Sequence, residues 1–158
     1  MDNKKEAARK KSLGELGELF AIKALVDQKF DRIRNLNDNK MNESYADIEC
    51  EKNGIKYVIS VKARNKYQQD GKVNSRYNLG SNVYKKAEEA ENKFKASAYW
   101  LAIQFDTKCY SVYFGSLKEL AGSKAIPIIK CEKGLVGEIW EHNKRHYFDF
   151  DLYLNRKR

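Results

Sequence analysis

The sequence predicts an α/β protein in which helices flank a mixed β-sheet. Three observations carry that expectation: an amphipathic helical segment at residues 12–28, a hairpin at 45–64 built on Asn53-Gly54, and a second helical segment at 81–95 followed by strand-like runs. The order helix, hairpin, helix, strands is most simply satisfied by a sheet with helices packed against it.

The first helix is expected to run from Ser12 to about Gln28, with Ser12 as N-cap and Glu15 completing a capping box. At 100° per residue, Leu13, Leu16, Leu19, Phe20, Ile22 and Val26 form an apolar stripe. Glu15 projects between Ile22 and Val26, and Glu18 between Ile22 and Leu25, so both acids sit at the margin of the packing face. An acid there is either a cap or surface charge, or a group aimed at a site where helix meets sheet. Residues 31–44, rich in Asn, Asp and Lys, read as a loop or a short strand.

The hairpin is the most informative stretch. Asn-Gly between two β-type runs is the strongest short-range hairpin signal, and pairing Lys52 with Ile55 fixes the register. Glu51 then faces Lys56, Glu49 faces Val58, and Asp47 faces Ser60. The period of two puts Ala46, Ile48 and Cys50 with Ile55, Tyr57, Ile59 and Val61 on an apolar face, and Asp47, Glu49, Ser60 and Lys62 on the other. Opposed side chains lie about 5 Å apart and diagonal ones about 7–8 Å. Lys62 can therefore approach Asp47, and a carboxylate beside a lysine on a rigid sheet suits metal-assisted phosphodiester hydrolysis. The plainer alternative is a charged face that keeps the hairpin soluble.

Downstream, Gly71 and Gly80 make the segment after the hairpin loop-like, and Val83, Ala87, Ala90 and Phe94 recur at helical spacing. Ala98–Phe105 reads as a buried strand, Cys109–Gly115 as its antiparallel partner, and Leu117–Gly122 as a short helix. AIPIIKC and HYFDFDLYL both read as strands. His142 and His146 are four apart and could share a helix face as metal ligands, but no acid lies at a recognised spacing. No phosphate-cradling GxxxxGK, GxSxG or Cys-His nucleophile pattern occurs.

Composition bounds the rest. The chain of 158 residues has 42% hydrophobic residues, 12% aromatics and a mean hydropathy of −0.77, which fits one globular domain with a polar surface. No apolar run approaches the roughly 20 residues of a membrane span, and the first residues lack an apolar signal core, so a cytoplasmic protein with no membrane partner is expected. Cys50, Cys109 and Cys131 have no CxxC spacing and read as buried thiols. The formal charge of +9 is concentrated: residues 62–86 hold seven Lys or Arg against Asp70 alone, a net +6. Tyrosines and amides interleave with these cations, as in surfaces that contact phosphates and bases. Arg64, Lys66, Gln68, Lys72, Arg76, Tyr77, Lys85 and Lys86 are the candidate nucleic-acid contacts, and DNA is the expected partner. The basic groups at Lys4–Lys11 and Arg156–Arg158 read as solubilising ends.

Gly14, Gly17-Glu18, Asp47 and Ser60-Val61-Lys62, in that order and spacing, resemble the PD-(D/E)xK nuclease superfamily, which includes restriction endonucleases and archaeal-type Holliday junction resolvases. The opening GELGELFAIKAL is similar to its small resolvase-like members. The resemblance covers about residues 12–105, leaving 1–11 as a basic extension and 106–158 as strands completing a single domain. It implies a restriction-endonuclease-like core and a divalent metal, normally Mg²⁺ with Mn²⁺ as a substitute, bound by Asp47 with Lys62 beside the attacking water. The catalytic candidates are Asp47, Lys62, Glu18, Ser60 and Glu49, of which Asp47, Glu49 and Glu18 are candidate metal ligands. Asp47 is a hard oxygen ligand, Lys62 can orient water and offset charge on the transition state, and Glu18 would complete the ion's surroundings from the helix. Ser60 departs from the pattern, which has an acid there. Glu49, about 6.8 Å along the strand from Asp47, is the first candidate to replace it and Glu18 the second. The resulting expectation is a Mg²⁺-dependent DNA endonuclease of restriction, homing or resolvase type, acting as a homodimer or higher oligomer because one small site cuts one strand. The alternative is a catalytically degenerate DNA-binding protein on the same fold, and a third reading, a basic structural protein, rests on charge alone.

Overall fold

The structure, a computed structural model, describes residues 3–37 and 43–146. Its elements are α1 (Asn3–Asp27), β1 (Asp31–Asn35), β2 (Ile48–Lys52), β3 (Ile55–Asn65), β4 (Arg76–Asn78), α2 (Val83–Phe94), β5 (Ser97–Phe105) and β6 (Cys109–Ser116). A 3-10 turn (Leu117–Leu120), β7 (Ala125–Pro127), α3 (Ile128–Glu132) and β8 (Glu138–Arg145) follow. Six strands form one sheet in the order β1-β2-β3-β5-β6-β8, while β4 and β7 pair separately. Among the described residues only β3 and β5 run parallel in the large sheet, and α2 lies in the crossover that a parallel pair requires. The architecture is the expected α/β one.

The hairpin forms in the expected register. Asn53 and Gly54 both have positive φ, 53° and 79°, as a two-residue type I′ turn demands, and Lys52↔Ile55 through Ile48↔Ile59 pair in sequence. Alternation then divides the core. Ile48, Cys50, Ile59, Val61 and Ala63 face α1 with Leu16, Ala21 and Leu25. Val58, Trp100, Ala102 and Tyr113 face α2 with Val83, Ala87 and Ala90. No helix among the described residues is long and apolar enough to cross a membrane.

Four local expectations are corrected. α1 is already helical at Asn3, and Ser12 is buried within it rather than capping it, because residues 4–11 are almost all strong helix formers. The packing face of α1 is also rotated: Leu16, Gly17, Ala21, Ala24 and Leu25 are buried, whereas Leu19 and Val26 are 57% and 54% exposed. Small residues let the helix approach β3 more closely than a leucine ridge would. A Cβ added at Gly17 would fall inside 3.0 Å of the Ala63 Cβ. AIPIIKC is a three-residue strand followed by α3, since Pro127 has no N–H to extend a ladder. His142 lies in β8 and His146 just beyond it, so they do not share a helix face. The strand expected over residues 146–154 lies almost wholly outside the described residues.

Candidate active site

The β2–β3 ladder stops at Ile48 and Ile59, and Asp47 is the residue at the break. Its N–H donates to the Ile59 carbonyl and its own carbonyl accepts from the Leu36 N–H, both at 2.9 Å. Its carboxylate Oδ2 accepts from the Val61 N–H at 2.8 Å, so the side chain occupies the place of the next ladder partner. Alternation lapses here. Ala46, expected beside Ile48, is buried in the α2-side core instead.

Glu18 reaches the same place from α1. The Asn37 Nδ2 donates to Glu18 Oε1 and also to Asp47 Oδ1, the latter at 3.3 Å. The amide thus sets its partial positive charge between two carboxylates that would otherwise repel. Close packing of Gly17 on Ala63 brings the neighbouring Glu18 over the end of the hairpin. Asn37 was not among the sequence candidates, and a lone Asn in a polar loop gives no pattern by which to find it.

Lys62 is half-buried, with burial lowering its ammonium pKa against the raising effect of Asp47, and with Arg64 and Lys86 lowering it further. Burial raises the Asp47 carboxyl, and the Val61 amide, Asn37 and Lys62 oppose that rise. The lysine and the aspartate each favour the other's charged form. Ser60, expected to pair with Asp47, lies beyond the end of the ladder, is 4% exposed and brings no charge. Glu49 is paired elsewhere: Arg34 Nη2 donates to its Oε2 at 2.6 Å. That pair is partly exposed and worth about 0.2–1 kcal/mol, so it turns Glu49 toward β1 without locking it there. Of the two acids considered as the missing donor, the structure brings Glu18 to Asp47 and engages Glu49 with Arg34.

Among the described residues no group of three His, Cys, Asp or Glu side chains is arranged to hold a metal. The Asp47–Glu18 donor set nevertheless fits Mg²⁺, which is usually bound by one or two carboxylates together with water and substrate phosphate. The amide drawn between the two carboxylates marks a place that favours positive charge.

The basic segment is distributed unevenly. Arg64, Gln68, Lys72, Arg76 and Lys85 are exposed, and Lys66 and Lys86 are half-buried. Tyr77 is a correction: it is fully buried, packed in the α2-side core, so its ring cannot stack on a base. Its place in β4, paired with β7, turns it inward. Tyr84 donates to the Ser123 carbonyl at 2.8 Å and accepts from the Gly122 N–H at 3.0 Å, which leaves Tyr67, 49% exposed, as the available tyrosine of the segment. The expected loop after β3 is a hydrogen-bonded turn, with Gln68 N–H to Lys72 O at 2.7 Å and Asn74 N–H to Lys66 O at 2.9 Å.

No protein-family model matches the chain, and no curated protein matches it in sequence. Among solved structures it is similar to Hjc, a Holliday junction resolvase from the archaeal hyperthermophile Archaeoglobus fulgidus. The TM-score is 0.54 at 15% identity, over 76% of this chain and 88% of that one. The chain thus shares the fold of that protein, a mixed sheet flanked by helices.

Proposed function

We propose that this protein is a DNA endonuclease of resolvase type that hydrolyses phosphodiester bonds with Mg²⁺, Mn²⁺ serving in its place. The observation that carries the reading is the convergence of Glu18 and Asp47 on Asn37, with the Lys62 ammonium favouring the charged form of Asp47. A divalent ion held by Asp47 and Glu18 would polarise a phosphoryl oxygen and lower the pKa of bound water. The protein's own groups prepare that step. The Val61 N–H fixes Asp47 Oδ2 and leaves Oδ1 to the Asn37 amide. Asn37 donates to both carboxylates, and the same two oxygens would be the ones to hold the ion. Lys62 orients the attacking water and offsets the negative charge that develops on the phosphoryl oxygens.

Arg64, Lys66, Gln68, Lys72, Arg76, Lys85 and Lys86 would track the phosphates of the strand. A homodimer would supply the two sites that two cuts require. One observation favours a second reading, a degenerate fold that binds DNA without cutting it: Ser60 stands where the superfamily pattern has an acid. Incubation with supercoiled, linear and four-way-junction DNA separates the two. Cleavage with Mg²⁺, lost in EDTA and in Asp47→Ala and Lys62→Ala, supports the nuclease. Binding without cleavage under every condition supports the degenerate module.

A further inference from the structure

A cleft of about 620 Å³ opens between the first half of α1, Gly14 included, the end of β3 and the turn that follows it. From α1 it is lined by Arg9, Lys10 and Leu13, from β3 by Ala63 and Arg64, and from the turn by Tyr67 and Gln68. Its volume is that of a small-molecule site. The turn bearing Tyr67 is pinned at several points: Lys66 N–H to Phe105 O at 2.7 Å, Asn74 Nδ2 to Asn65 O at 2.6 Å, and a bridge between Tyr67 and Val73. Lys66 lies over the Tyr67 ring, 5.6 Å from its centroid. Glu6 lines the same cleft, and its Oε2 is buried without a hydrogen-bond partner.

We propose that this cleft binds an unpaired nucleotide of a DNA strand, with its base on Tyr67 and its phosphates between Arg9, Lys10 and Arg64. The proposal rests on the DNA-nuclease reading and names the substrate class, DNA with an unpaired nucleotide near the cut. Each part of the cleft argues for it. Three cations in the lining suit a phosphate backbone, but a bare phosphate would gain nothing from Tyr67 and would be repelled by Glu6. A base satisfies both, since its face stacks on the ring and its N–H edge donates to the carboxylate. The bases of an intact duplex have their faces covered by neighbours, so stacking on Tyr67 selects a nucleotide that is single-stranded or flipped out. Arg64 lies two positions beyond Lys62 on β3, which puts the cleft at the end of the strand that carries Lys62. Arg9 and Lys10, read from the sequence as part of a solubilising end, become a binding wall because α1 extends to them.

The test is fluorescence polarisation in EDTA, which measures binding without cleavage, using labelled single-stranded DNA of about 12 nucleotides, within common single-strand site sizes, and a duplex of the same sequence. Tyr67→Ala should weaken single-strand binding by roughly 5- to 150-fold, the equivalent of one stacked base, leave duplex affinity unchanged and keep the salt slope. Tyr67→Phe should bind as the parent does. Arg9→Ala with Lys10→Ala should weaken single-strand binding and flatten its salt slope by about 0.7 for each phosphate that is no longer neutralised, whereas Lys56→Ala in the hairpin should change neither. Parental single-strand affinity in Tyr67→Ala would overturn the proposal. Duplex binding without single-strand binding would overturn it and leave the nuclease reading standing, and failure to bind either form would overturn both.

Discussion

Replacing Gly17 by alanine should destabilise the protein, whereas the same change at Gly14, one helical turn earlier, should stabilise it. Both glycines lie inside α1, where alanine gains about 0.5–1 kcal/mol over glycine. Around Gly14 there is no atom within 4 Å of an added Cβ, so the gain is unopposed. At Gly17 the added Cβ falls inside 3.0 Å of the Ala63 Cβ and 3.7 Å from its Cα, so α1 or β3 must move. Overpacking of this kind costs about 1–3 kcal/mol, and the net change at Gly17 is therefore a loss of up to roughly 2.5 kcal/mol. At about 2–4 °C per kcal/mol for a chain of this size, Gly14→Ala should raise Tm by about 1–4 °C and Gly17→Ala should lower it by up to roughly 10 °C. Denaturant titrations of both variants, and of Gly17→Ala with Ala63→Gly, complete the assay. The double change should recover a coupling energy of about 0.5–3 kcal/mol. The consequence reaches function, because Glu18 is the next residue and meets Asn37 only if α1 sits this close. Equal stabilisation by Gly14→Ala and Gly17→Ala would refute the close packing and with it the account of how Glu18 is positioned.

Other expected outcomes follow from burial and charge. Asp47→Asn should abolish cleavage, and in EDTA at neutral pH it should leave the protein as stable as the parent or more so, since its amide can still accept from the Val61 N–H without a buried charge. Burial raises the folded carboxyl above the ordinary value of about 3.9, so the native state binds the proton more tightly and stability falls as pH rises through that window. Thermal melts from about pH 4 upward should show a shallower fall in the variant, and identical pH profiles would contradict the burial argument. Burial pushes the Cys50 and Cys131 thiols up to about 12. Cys109, half-buried, should therefore alkylate first in the native protein and the other two only on unfolding, as read by mass spectrometry. Neutralising Lys72, Arg76, Lys85 and Lys86 together should weaken duplex binding for all sequences and flatten the log–log salt dependence by about 0.9 for each duplex phosphate left without its cation; an unchanged slope would mean the duplex lies elsewhere.

The hairpin was legible because Asn53-Gly54 fixes register through backbone geometry alone, whereas the expected pairing of Asp47 with Ser60 is not formed, because the ladder ends at Ile48 and Ile59 and the Asp47 side chain takes the Val61 N–H instead. The face of α1 was misread because hydrophobic periodicity weights Leu19 and Val26, whereas close approach to a sheet is made by Gly17, Ala21 and Ala24, which score weakly as apolar. The extension of α1 to Asn3 was hidden for a related reason: Lys, Arg and Glu favour helix, yet they read as a solvated tail. β8, with the sequence EIWEHNKR, has no run of β-branched residues and is held by backbone pairing to β6, which leaves little trace in composition. Tyr77 looked like a stacking residue because its neighbours are cationic, and only the β4–β7 pairing shows that it points inward. Asn37 and the Arg34–Glu49 pair join residues distant in sequence, and no local pattern predicts either.

If Glu18 and Asp47, rather than Glu49, form the metal-dependent centre beside Lys62, the two glutamates must respond differently to mutation. Single-turnover cleavage of a four-way junction as a function of Mg²⁺ concentration, by wild type, Glu18→Gln and Glu49→Gln, separates them. Glu18→Gln should raise the Mg²⁺ needed for half-maximal rate by roughly tenfold or more, in line with the loss of a group that ligates or orients a metal ligand. Glu49→Gln should stay within about twofold of wild type, as breaking a weak, partly exposed ion pair would allow. A Mg²⁺ dependence shifted by Glu49→Gln and untouched by Glu18→Gln would contradict the assignment.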